Sequence, residues 1–214
     1  MGDFNPYVNN GGTVIAAAKD DFAVLVADTR LSVGYSIHSR RVSKVTRLTD
    51  RIIIGTAGMN ADTIALHKQL EAQVTIYQNK HHENPDIHCI SQLLSVILYG
   101  KRFFPYYTFN LLVGIDMKGQ AYVFTYDAIG NFESTAYSAH GTGSNLITSI
   151  LDSKIGCNNQ KQGTPPNTLE DYVNLLKDAI SSAAERDIYT GDSAEIFILN
   201  PNVSQPILFP LRGD

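Results

Sequence analysis

Three places in this 214-residue chain bring together side chains or backbone groups that could do chemistry. His81, His82, His88 and Cys89 carry imidazole and thiol groups of the kind that bind metals. They lack a tight ligand spacing, however, and read as surface residues around a loop. Gly141-Thr142-Gly143-Ser144 precedes a helical pattern and could turn backbone N–H groups onto a phosphate. No Gly-Lys-Ser/Thr follows, so the run reads as a helix-opening turn. The third place is Asn10-Gly11-Gly12-Thr13, at the head of an apolar run. There a glycine pair stands where a reactive side chain would be expected, and the first hydroxyl is that of Thr13.

The elements that must position these groups can be read from pattern. Thr13 to Lys19 and Phe22 to Asp28 are strands rich in Val, Ile, Ala and Leu, joined by a tight turn at Asp20-Asp21. Short strands follow at 35–38 and 42–48, then a strand at 51–57, apolar on both faces and closed by Gly58. Asn60 is placed to cap a helix to about Lys80, with Leu66, Leu70, Val74 and Tyr77 at helical spacing. Asp86 starts a second helix, which Gly100 closes. Arg102-Phe103-Phe104-Pro105-Tyr106-Tyr107 is an aromatic connection suited either to the core or to a subunit contact. A hairpin around Lys118-Gly119 joins strands 110–117 and 120–126, one further strand covers 134–139, and a third helix runs from Asn145 to Lys154. The polar run 153–167 reads as a loop. Thr168 and Asp171 form a capping box for a fourth helix ending near Arg186, and strands at 194–199 and 205–211 end the chain. Runs of strands and runs of helices, rather than strict alternation, predict antiparallel sheets with helices outside.

Composition narrows the function. A formal charge of −4 with only the short basic pairs Arg40-Arg41 and Lys101-Arg102 argues against a nucleic-acid groove. No apolar run is long enough to span a bilayer, and the first twelve residues do not read as a signal peptide. Two distant cysteines suit a reducing compartment, so a cytoplasmic and nuclear location is expected. The sequon at 202–204 and the Arg-Gly-Asp tripeptide at 212–214 read as chance matches.

Beyond these patterns, the chain resembles the proteasome beta subunits of the N-terminal nucleophile hydrolase family. The motifs that carry the resemblance are Gly11-Gly12-Thr13, Ala27-Asp28-Thr29-Arg30, Ser43-Lys44-Val45, Gly141-Thr142-Gly143 and Arg186-Asp187-Ile188-Tyr189-Thr190-Gly191. Phe4-Asn5-Pro6-Tyr7 and the run from Tyr99 to Tyr107 look most like a non-catalytic class within it. The resemblance implies an α+β fold, a four-layer α–β–β–α sandwich of two antiparallel sheets. Residues 1–10 would be an N-terminal extension and 11–214 a single domain. It implies a place in a seven-membered beta ring of the 20S core particle, against alpha-ring subunits and the opposite beta ring. The work implied is ubiquitin-dependent protein degradation, with no cofactor, metal, nucleic acid or membrane.

In that family an N-terminal threonine attacks the substrate, with its own α-amine as base, a lysine beside the hydroxyl and an aspartate holding the lysine. Carried over by motif, the aspartate is Asp28 and the lysine Lys44, with Thr142, Asp187 and Thr190 in the supporting loops; the nucleophile position falls on Gly11. Glycine offers no hydroxyl, and residues upstream leave no free amine there, so the subunit is expected to be silent and Asp28, Lys44 and Asp187 to persist as a buried polar network. The alternative is an active threonine peptidase using Thr13 after processing. That hydroxyl would lie about 6–7 Å further along the same strand face. The resemblance also sets Asp116 at the end of a strand that helps line a neighbour's substrate pocket; as a plain sequence feature it opens the turn at Met117-Lys118-Gly119.

Overall fold

A computed structural model describes residues 5–157, 165–200 and 206–213. Two five-stranded antiparallel sheets pack face to face. The first has the order β10-β1-β2-β11-β12 and comprises β1 (Thr13–Lys19), β2 (Phe22–Asp28), β10 (Tyr137–Gly141), β11 (Ser193–Leu199) and β12 (Ile207–Pro210). The second has the order β5-β6-β7-β8-β9 and comprises β5 (Val45–Thr49), β6 (Ile52–Gly58), β7 (Thr108–Ile115), β8 (Ala121–Tyr126) and β9 (Phe132–Thr135). A small hairpin, β3 (Leu31–Val33) with β4 (Ser36–Ser39), stands apart from both.

Side-chain alternation builds the layers. Val14 and Ala16 of β1 and Leu25 of β2 face Ile53, Leu111, Val113 and Val123 of the other sheet. Their neighbours Ile15, Ala17, Val24 and Val26 face outward, onto Ile147 and Leu151 of α3 (Ser144–Leu151) and Leu176 and Ile180 of α4 (Leu169–Ala184). On the far side Ile52, Ile54, Leu112 and Phe124 meet Leu66 and Leu70 of α1 (Asn60–His81) and Ile90, Leu94 and Leu98 of α2 (Ile87–Tyr99). Each central strand is therefore buried on both faces, which is why it reads as an unbroken apolar run. Gly55 lets the sheets approach, since a Cβ there would lie 2.9 Å from Leu25 Cδ1. These layers are the α–β–β–α sandwich that the sequence predicts.

Four local expectations need correction. The single strand predicted at 134–139 is two: β9 pairs with β8 in one sheet and β10 with β1 in the other, and the chain crosses between sheets at Ala136. A period of two looks alike on either side of such a crossing. Asn60 does not cap α1 with its own side chain; it is the first helical residue, and its backbone N–H donates to Asn10 Oδ1 at 2.8 Å. The third helix ends at Leu151 and is followed by a π-helical turn, Asp152–Gly156, inside the run read as a loop. Residues 158–164 of that run, Phe4, the sequon and Asp214 lie outside the described residues. The capping box of α4 forms as expected, Asp171 N–H donating to Thr168 Oγ1 and Thr168 N–H to Asp171 Oδ2, both at 3.2 Å. Among the described residues no helix is long and apolar enough to cross a membrane.

Candidate functional site

The ends of β1, β2 and β10, the residue ahead of β5, the start of α3 and the loop after α4 converge at one edge of the sandwich. Asp28, the last residue of β2, is fully buried there. Its Oδ1 accepts the Thr13 N–H at 2.7 Å and faces Lys44 Nζ at 3.1 Å, and its Oδ2 accepts the Arg30 N–H at 3.2 Å and the Gly191 N–H at 3.5 Å. Burial pushes the Asp28 carboxyl up, opposed by the Lys44 charge and by the N–H donors. Every partner around it is a donor, so the ionised form is the one this cage satisfies. Lys44 donates also to Asp28 O at 2.8 Å and Arg30 O at 2.7 Å. An ammonium has three protons, and each has found an acceptor.

The residue opposite Lys44 is Gly12, not Gly11, which corrects the sequence expectation by one position. A Cβ on Gly12 would lie 2.1 Å from Lys44 Cε, 2.7 Å from its Nζ and 2.9 Å from Asp28 Oδ1. A Cβ on Gly11 would instead strike Tyr189 Cβ at 2.6 Å. The two glycines have φ of +85° and +70°, so strand alternation cannot be run back from Thr13 through them. The close approach of Lys44 to Gly12, not strand alternation, identifies the residue that faces the lysine. Lys44 occupies the space that a side chain on Gly12 would fill.

Thr13 therefore follows the lysine-facing position directly and shares the opposite strand face with Ile15. Its hydroxyl sits 2.7 Å from Thr190 Oγ1 and accepts the Gly143 N–H at 2.9 Å. Thr190 commits its one proton to Asp187 Oδ2 at 2.7 Å, as Thr142 does at 2.5 Å, so Thr13 must donate to Thr190. Asp187 is thus the sink of a chain of hydroxyl protons, and the α3 amide the structure spends on Thr13 is one a phosphate would have needed. This geometry speaks against Thr13 as nucleophile: it faces away from Lys44 and its acceptor is a neutral hydroxyl. Arg30 pins the 187–192 loop from beneath, through Asp192 at 2.9 and 3.2 Å and Ile188 O at 2.9 Å.

Sequence reasoning missed Asn10. Its Oδ1 accepts from Asn60 N–H, its Nδ2 donates to Ser32 O at 3.1 Å, its N–H donates to Gly58 O at 3.1 Å, and its C=O accepts from Ser32 N–H at 3.2 Å. The segment before the glycines is thus held between β3 and the end of β6. An amide beside a glycine pair was the only signal for it. Asp116 sits elsewhere, at the β7–β8 turn. It is 6% exposed, and its Oδ1 accepts from Lys118 N–H and Gln120 N–H, each at 2.8 Å. Those two bonds are the turn role. His88 packs edge-on against Tyr122, and both cysteines are free thiols. Among the described residues no group of His, Cys, Asp or Glu could hold a metal ion.

Known proteins share this chain along its length. The family model described as "Proteasome subunit" matches residues 8–199. "Proteasome subunit beta type-1" of Dictyostelium discoideum is 44% identical, covering 100% of this chain and 92% of its own. The protein of that name from Arabidopsis thaliana is 45% identical over 99% and 97%. "Probable proteasome subunit beta type-6" of Schizosaccharomyces pombe is 35% identical over 99% and 98%. Taken with the two-sheet sandwich and the Asp28–Lys44 pair at its edge, these matches mean that the chain belongs to the proteasome subunit family.

Proposed function

We propose that this chain is a catalytically silent, structural β subunit of the 20S proteasome core, of the beta-six class that the other naming scheme calls beta type-1. It builds the beta ring of the proteolytic chamber beside active subunits, against an alpha ring and the opposite beta ring, in the cytoplasm and nucleus, and serves ubiquitin-dependent degradation. The names of the relatives and the matched family support the placement.

The observation that carries the silence is Gly12. A hydroxyl nucleophile in this family works beside its lysine, and here the position beside Lys44 has no side chain. Lys44 is neutralised by Asp28 and saturated by two carbonyls, so it has no proton relay to run. Asn10 ties the segment ahead of the glycines to Ser32, Gly58 and Asn60, which holds that segment in place. The Asp28–Lys44 pair then acts as a structural rivet, joining the end of β2 to the strand edge of the facing sheet. Tagging the chain in its native host and recording a native mass spectrum of the purified particle tests the placement. One copy per beta ring is expected, and a tagged chain recovered only outside such particles would overturn it.

A further inference from the structure

The turn that follows α2 has a feature the silent site does not use. Phe103 is fully exposed, and Tyr99 and Phe104 are each more than half exposed beside it. Such a patch in water is costly for a free chain. Yet the turn is held firmly. Lys101 N–H donates to Leu98 O, Arg102 N–H to Tyr99 O and Phe104 N–H to Lys101 O, each at 3.0 Å. The N-terminal segment reaches across to fix it further. Tyr7 stacks on Phe104, with ring centroids 5.6 Å apart and planes at 21°, and its hydroxyl donates to Pro105 O at 2.7 Å. The rings are therefore presented in one arrangement, which lowers the ordering cost of binding.

We propose that this turn docks a different proteasome subunit, with Phe103 as the anchor and Tyr7 as the residue that sets the turn. The inference rests on the chain's membership of an assembling family, not on the silence of its site. The partner surface it fits is an apolar socket edged by carboxylates, because Lys101 and Arg102 directly precede Phe103 and both are exposed. The same charges argue against a second copy of this chain, since a two-fold contact would set basic residues against basic residues. A buried aromatic anchor with a charged rim is the usual hot-spot composition of a protein interface.

The test is competitive incorporation. Wild-type and variant full-length chains, distinguishable by mass, are expressed together, and their ratio in assembled particles is read by native mass spectrometry. Phe103→Ser is expected to fall to about a tenth of wild type or less, and Arg102→Glu to fall several-fold. Tyr7→Ala is expected to lie between wild type and Phe103→Ser, because the anchor remains but its setting is lost. The free Phe103→Ser chain should melt where wild type does, since none of the described residues covers that ring. Equal incorporation of Phe103→Ser overturns the docking role, and a lowered melting point reassigns Phe103 to packing within the chain. A wild-type homodimer that Phe103→Ser dissolves would mean the occupant is a second copy, against the proposal. Wild-type incorporation of Tyr7→Ala would remove Tyr7 from it.

Discussion

Replacing Gly12 by alanine should unfold the site rather than begin to rebuild it. Two costs add. An L residue held at φ near +85° is strained by about 1–2 kcal/mol. The new methyl would also sit 2.1 Å from Lys44 Cε, so the lysine must leave Asp28 and both carbonyls. Breaking a buried pair in this way costs about 3–5 kcal/mol, because Asp28 stays buried without its cation. The sum, about 4–7 kcal/mol, is comparable with the whole stability of many domains. Gly34→Ala supplies the control. Gly34 also has positive φ, at +57°, but no atom lies within 4 Å of its would-be Cβ, so only the strain is incurred. Urea unfolding of the two variants, followed by tyrosine fluorescence since the chain has no tryptophan, separates the terms. With a slope of about 2 kcal/mol per molar urea, Gly12→Ala should unfold some 1.5–2.5 M earlier than Gly34→Ala. Equal midpoints would mean that Lys44 moves aside at no cost, and the rivet argument fails.

Other outcomes follow from the same geometry. Lys44→Ala should lose about 3–5 kcal/mol and assemble poorly; wild-type assembly would show that Asp28 does not need it. His67 lies buried between Thr46 Oγ1 at 2.8 Å and Thr56 Oγ1 at 2.7 Å, and burial lowers its pKa to about 4. The unfolded chain binds that proton first, so the stability is whole above pH 6.5 and falls as pH drops toward 4. The loss reaches about 3 kcal/mol. A urea midpoint for wild type that is flat from pH 7 to pH 4, or one that falls as steeply in His67→Gln, would refute this. Asp116→Ala should cost about 1–3 kcal/mol because two turn N–H groups lose their acceptor, while Asp116→Asn, which keeps an oxygen there, should cost little. In assembled particles Asp116→Asn should leave the ratio of cleavage after Lys to cleavage after Glu unchanged; a shifted ratio would return Asp116 to a neighbour's pocket.

The layers were legible in the sequence because both periodicities were clean. The double-faced apolar strands β1, β2 and β6 could lie only between two other layers, and the helical stripes supplied them. Asp28, Lys44, Thr142, Asp187 and Thr190 were legible from motif, and the structure brings all five to one edge. What failed depended on register and on long-range partners. The motif carried the lysine-facing position to Gly11, whereas the contact with Lys44 falls at Gly12, and that one step turns Thr13 to the other face. The crossing at Ala136 leaves alternation intact, so nothing local marks it. Asn10 acts on Ser32, Gly58 and Asn60, residues distant along the chain, and no pattern around it announces them.

The central claim is that the position beside Lys44 can neither attack a substrate nor present an amine. Purified particles treated with an electrophile that captures N-terminal threonines, followed by intact mass and N-terminal sequencing of this subunit, test it most directly. The account predicts an unmodified chain that still carries Asn10 and residues before it, alongside labelled neighbours. A stoichiometric adduct on a chain beginning at Thr13 would contradict it.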